Sequence, residues 1–194
     1  MRDQKKILYK NSLIIETRKI GEIIEKNYIY SYHKKCSEIY KRLLKWSRFS
    51  NFNESINKFE LKQINQSSDG KLNIIIHQKY CNKINHKRGI SVLKFLKTLE
   101  IDLLKAWNLG LVHGDLNRKN ILLTEEGYRI IDIEPILKVR TDNNKFVLRT
   151  TYPYLASVDK KNWNVTIASD KLGFKCFSSW VNKKVEHPSQ EKYL

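Results

Sequence analysis

Near Ile90 the hydrophobic period of this chain changes from mainly strand-like to helical, and that change constrains its fold more than any other feature. Before it, short runs rich in Ile and Tyr alternate as β-strands do: Lys6 to Tyr9, Ser12 to Thr17, Glu22 to Glu25 and Tyr28 to Tyr32, broken at Asn11, Gly21 and Asn27. Ser37 stands where it can cap a helix whose apolar face is Ile39, Tyr40, Leu43, Leu44 and Trp46. Two further strands, Phe59 to Ile64 and Leu72 to Gln78, flank the turn Ser67-Ser68-Asp69-Gly70. After Ile90, Leu96, Leu99, Leu103, Leu104 and Trp107 recur at helical spacing until Gly110 stops them. The pattern predicts an α+β chain: a small antiparallel sheet plus one helix, then a mainly helical half.

At 194 residues and 41% hydrophobic, such a chain can bury a real core as one domain, or as two small lobes sharing a cleft. Its longest apolar runs, Leu109 to Val112 and Leu72 to Ile76, are far too short for a membrane span, and Met1 to Lys6 leads into no signal-peptide core. A soluble protein is expected. Cys36, Cys81 and Cys176 are odd in number and lack a CxxC pair, which disfavours a disulfide framework or a zinc site. The net charge of +17 raises nucleic-acid binding as a rival function. The lysines, however, are spread along the whole chain, as on a solvated basic surface.

The helix that ends at Gly110 delivers the chain into His113-Gly114-Asp115-Leu116-Asn117-Arg118-Lys119-Asn120. Ile121-Leu122-Leu123 and Tyr128-Arg129-Ile130-Ile131 then pair across a short turn containing Gly127, and the second strand ends in Asp132. The hairpin brings Asn120 and Asp132 to the same end of two neighbouring strands. Asn120 and Asp132 offer hard oxygen ligands suited to Mg²⁺ held jointly with phosphates. Asp115 is placed to orient an acceptor hydroxyl, and His113 to brace the loop by hydrogen bonds.

Val112 to Pro135 resembles the catalytic loop and metal-binding segment of the protein-kinase-like superfamily, H-R-D-x-x-x-x-N followed by D-F-G. Arg149 to Ala156 resembles the substrate-docking end of an activation segment, and Ser169 to Phe174 the start of the buried helix whose Asp anchors the catalytic loop. The resemblance implies a bilobal kinase-like fold: an N-lobe over about 1–80, a hinge over about 78–87 and a reduced, mainly helical C-lobe over about 88–194. Because only a short basic tail follows Trp180, the likeness is greatest to the minimal effector kinases of host-associated bacteria. Some of those phosphorylate host chaperones or bind ubiquitin-loaded partners.

That likeness implies a Ser/Thr protein kinase with ATP and Mg²⁺, or Mn²⁺, as cofactors. It carries Asp115, Asn120, His113 and Lys119 as catalytic residues, Asn120 and Asp132 as metal ligands, and Lys34 with Glu38 as the nucleotide lysine and its ion-pair partner. Lys26, Lys35 and Glu54 are rivals for the latter pair. It further implies a monomer acting on a host protein such as a chaperone, resident in a bacterial cytoplasm and secreted into a host cell.

Departures from the family pattern carry their own expectations. Gly114 replaces the Arg that pairs with an activation-segment phosphate, so activity without phosphorylation of Thr150 or Thr151 is expected. Asn117 stands at the usual phosphate-directed Lys, with Lys119 as its substitute, and Ile133-Glu134 replaces Phe-Gly. Gly21, in Arg18-Lys19-Ile20-Gly21-Glu22, is the sole remnant of a glycine-rich loop.

Two other readings compete. His-Gly-Asp-Leu and Ile-Asp-Ile-Glu are also close to the wording of small-molecule kinases acting on aminoglycosides, choline or sugars. A pseudokinase or nucleic-acid-binding module would keep the fold without turnover. It would also keep the desolvation cost of Asp115, Asn120 and Asp132 without return.

Overall fold

A computed structural model describes residues 6–11, 13–31, 36–68, 70–84, 91–133, 135, 139–140, 146–147 and 165–186. The chain divides into two compact units, Met1–Asn82 with Val139–Val147, and Lys83–Lys138 with Leu148–Leu194. The architecture is α+β.

The first unit is built on five antiparallel strands in the order β1-β2-β3-β5-β4: β1 (Lys6–Asn11), β2 (Leu13–Ile20), β3 (Ile23–Ser31), β4 (Phe59–Gln66) and β5 (Lys71–Lys79). Helix α1 (Cys36–Ser50) connects β3 to β4. The period-2 pattern sorts β5 cleanly, with Leu72, Ile74, Ile76 and Gln78 buried and Asn73, Ile75 and His77 on the opposite face. The apolar stripe of α1, Ile39, Leu43, Trp46 and Phe49, is buried with them, and Ser47 Oγ donates to the Phe59 carbonyl at 3.0 Å. Tyr40, expected on that stripe, is 45% exposed, since it lies about 100° around the helix from Ile39.

Asn27 does not break a strand. It lies inside β3, paired with Glu16 and Ile75, because both neighbouring strands continue past it and supply backbone partners. Its Oδ1, like that of Asn73, is buried without a hydrogen-bond partner. Gly21 does break the pattern: at φ +60° it makes the β2–β3 turn, so it is not in the β1–β2 connection.

A further pair of two-residue strands, β8 (Val139–Arg140) and β9 (Phe146–Val147), belongs to the first unit by its contacts.

The second unit contains α2 (Val92–Asn108), the hairpin β6 (Ile121–Thr124) and β7 (Gly127–Ile130), and α3 (Ile167–Glu186). In α2 the buried stripe is Val92, Leu96, Leu99, Leu103, Ala106 and Trp107, while Leu104 turns outward. The helix ends in a Schellman motif. Gly110, at φ +71°, donates to the Trp107 carbonyl at 2.9 Å, and Leu111 reaches back to the Ala106 carbonyl at 2.9 Å.

Edge-to-face contacts of Tyr128 with Phe177 (5.1 Å) and Trp107 with Phe174 (6.4 Å) join the hairpin and α2 to α3. Burial pushes the Tyr128 phenol well above its ordinary pKa, so it stays neutral in this core. No helix among the described residues is long and apolar enough to cross a membrane.

Candidate functional site

The Schellman motif sets the direction in which the chain leaves α2, and three residues later it enters a loop fixed by side-chain to backbone bonds. His113 is fully buried. Its Nδ1 accepts from the Asp115 backbone N–H at 3.2 Å, and its Nε2 lies 2.7 Å from the Ile131 carbonyl. A carbonyl can only accept, so Nε2 carries the proton and the ring is a neutral strut between the loop and the end of the hairpin.

Asp170, in the first turn of α3 and 1% exposed, holds the same loop from the other side. Its carboxylate oxygens accept separately from the backbone N–H groups of His113 and Gly114, the latter at 3.1 Å. Gly114 meets that carboxylate at φ +100°, a backbone region that side-chain-bearing residues rarely adopt.

Helix α3 and the loop are in direct contact at Gly173. A Cβ there would lie 2.0 Å from the Leu116 carbonyl oxygen, so only glycine allows this approach.

Asn120 joins the remaining parts. Its Nδ2 donates to the Asp115 carbonyl at 2.8 Å and to Asp115 Oδ2 at 3.1 Å. Its backbone carbonyl accepts from the Ile131 N–H at 2.9 Å. Ile131 is thus bonded to the loop through both its N–H and its C=O, and Asp132 follows it directly. Asp132 is half-buried at φ +59°, the one non-glycine residue in left-handed conformation among those described.

The structure therefore ties Asp115, Asn120, His113 and the residue preceding Asp132 into one hydrogen-bonded unit. Lys119 contributes its backbone N–H to Asn117 Oδ1 at 2.8 Å, while its side chain is exposed.

Asn117 reads in the sequence only as a departure from a lysine pattern. In the fold it is a buried brace, 5% exposed, bridging the Asp115 carbonyl and the Lys119 N–H. The signal that could have found it is an Asn two residues after an Asp in a tight loop, the spacing of an Asx-type turn.

In the first unit, Glu38 is exposed in the first turn of α1. Lys34, Lys35, Glu134, Thr150 and Thr151 lie outside the described residues. Lys26 is half-buried on β3, opposite Ile76 and next in phase to the Tyr28–Ile74 pair, so it shares the apolar, buried face of the sheet. A lysine there keeps its stem in the core and its ammonium at the margin.

The donor set fits a hard divalent cation. With Asn120 Nδ2 committed to Asp115, the amide oxygen is the side chain's remaining polar atom. Together with the Asp132 carboxylate it gives two hard oxygens at one end of the hairpin. Among the described residues no three His, Cys, Asp or Glu side chains converge.

Two solved structures of the Mycobacterium tuberculosis PknI kinase domain are similar to this chain, the second carrying a point substitution. Each has 14% sequence identity and a TM-score of 0.47 and covers 89% of this chain, which in turn covers 68% of the first and 70% of the second. No family model matches the sequence, and no curated protein matches it.

Proposed function

We propose that this chain is an ATP- and magnesium-dependent phosphotransferase of the Ser/Thr protein kinase type, with an alcohol side chain as acceptor. The observation that carries the reading is Asn120. Its side chain orients the Asp115 carboxylate through its nitrogen, and its backbone carbonyl accepts from the Ile131 N–H, one residue before Asp132. Phosphoryl transfer asks a protein for alignment and charge matching more than for covalent chemistry.

In this reading Asp115 accepts a hydrogen bond from the acceptor hydroxyl and takes its proton as the hydroxyl oxygen bonds to the γ-phosphorus of ATP and the bond from that phosphorus to the departing ADP oxygen breaks. Asn120 and Asp132 hold magnesium, which supplies neutralisation of phosphate charge when bound with the nucleotide. His113, Asn117 and Asp170 keep the loop in that geometry, and Lys119 is available from solvent to the transferred group. The first unit serves as nucleotide lobe; of the hinge expected over about 78–87, residues 85–87 lie outside the described residues. Lys26 becomes the stronger candidate for the nucleotide lysine, because its strand register puts it on the sheet's buried face. Lys34 with Glu38 remains the rival pair.

The acceptor is proposed to be a host protein, chaperones being the class suggested by the effector kinases that the sequence resembles, with the chain made in a bacterial cytoplasm and delivered to the host as a monomer. Incubation with labelled ATP and Mg²⁺ in a eukaryotic lysate tests this, comparing wild type with Asp115→Ala and Asp132→Ala. Label in a protein band with wild type alone supports the reading. Label only in small metabolites would replace it with a small-molecule kinase, to which His113-Gly114-Asp115-Leu116 is also close.

A further inference from the structure

One surface of the first unit takes no part in this chemistry. The solvent side of α1 carries Lys41, Lys45 and Arg48, all exposed, at the i, i+4, i+7 spacing that aligns side chains along one helix face. The chain does not leave that line when the helix ends. Asn51 and Phe52 donate to the carbonyls of Arg48 and Phe49 at 3.2 Å each, continuing the coil by one tighter turn. Phe52 thereby extends the basic stripe, and it is 87% exposed.

Its exposure is not that of a loose loop. Asn53 beside it is buried, with Nδ2 donating to the Phe49 carbonyl at 2.8 Å, and Ser50, Ser55, Ile56 and Asn57 are buried around it. A rigid turn thus holds a benzyl group in solvent at the end of a row of cations. Glu38 and Glu54, both exposed, stand near the two ends of the stripe and do not interrupt it.

A protein partner would need a broader apolar centre than one ring to form a stable interface. An anionic bilayer needs none. Its diffuse negative charge matches a linear row of cations, and its headgroup region admits a single aromatic ring at the depth where aromatic side chains settle. We propose that the α1 stripe and Phe52 form a peripheral docking surface for the anionic phospholipid face of a membrane. The net charge of +17 draws the whole chain toward such a surface, while the stripe and the ring fix which side meets it.

The test is co-sedimentation of the full chain with vesicles of phosphatidylcholine alone and of phosphatidylcholine mixed with phosphatidylserine. Binding is expected only to the mixed vesicles and is expected to fall with added salt. The variant Lys41→Glu/Lys45→Glu/Arg48→Glu should weaken it by about a hundredfold or more, at about fivefold per cation lost. Phe52→Ser should weaken it by about tenfold while leaving the thermal unfolding curve in place, since the ring is not part of the core.

The control is the same charge change elsewhere, Lys94→Glu/Lys97→Glu/Lys175→Glu, at exposed positions of α2 and α3. Equal loss in the control would show a diffuse charge effect and overturn the proposal. Wild-type binding to phosphatidylcholine alone would overturn it as well. So would binding to soluble polyglutamate, insensitive to Phe52→Ser, with none to vesicles, which would assign the stripe to an acidic polypeptide.

Discussion

The loop from His113 to Asn120 and the sheet of the first unit solve the problem of polar groups in opposite ways. In the loop, the side chains of His113, Asn117 and Asn120, with that of Asp170 from α3, are spent on named backbone partners, and His113, Gly114, Leu116 and Asn117 are buried even though the segment is neither helix nor strand. In the sheet the backbone pairs with itself, the core is apolar, and two asparagine oxygens are left buried without partners. The first region is specified by side chains that bond across a few residues or to one anchor. The second is specified by register and burial, and tolerates imperfect polar satisfaction. Substitutions should therefore hit function first in the loop and stability first in its anchors, with the sheet the more forgiving of the two.

The largest effect expected is on transfer. Asp115→Ala or Asp132→Ala should lower phosphotransfer on the order of a thousandfold with little change in the urea midpoint, measured with labelled ATP against a lysate acceptor. Unchanged transfer would remove the distinction between the two regions. Asp170→Ala comes next, since it leaves two buried loop N–H groups without their acceptor. It should cost about 2–5 kcal/mol in urea unfolding and lower activity through loss of loop geometry.

Within the sheet, Lys26→Met should raise the KM for ATP about tenfold or more, while Lys34→Met changes it little. The reverse result would restore Lys34 with Glu38 as the nucleotide pair.

Gly173→Ala forces a methyl group against the Leu116 carbonyl and should cost about 1–3 kcal/mol by chemical denaturation. Smallest of all, Asn27→Val should stabilise the protein by about 1 kcal/mol, by replacing an orphaned oxygen in mid-strand with a β-branched side chain.

How much of this could be read from residues alone follows the same division. Both strands of the 121–131 hairpin, the helix leading to Gly110, and β4 and β5 lie within a residue or two of where periodicity puts them. Asp170 as the loop's anchor is legible from its place at the head of a helix, by resemblance to the family's buried Asp. What escapes is set by partners distant in sequence. Asn27 reads as a breaker by local preference, yet neighbours on both sides hold it in a strand. Lys26 reads only as a rival to Lys34, because only the pairing of β3 with β5 reveals which face it occupies. Gly173 enters the sequence reading only within the Ser169 to Phe174 resemblance, and the approach of the Leu116 carbonyl is what requires glycine there.

Asp132 is the position at which this molecule forgoes ease. A left-handed residue costs any L-amino acid with a side chain on the order of 1 kcal/mol, and glycine would sit there without complaint. In the proposed phosphotransferase that cost would be the expense of keeping a carboxylate, where glycine would be easier, at the end of the hairpin.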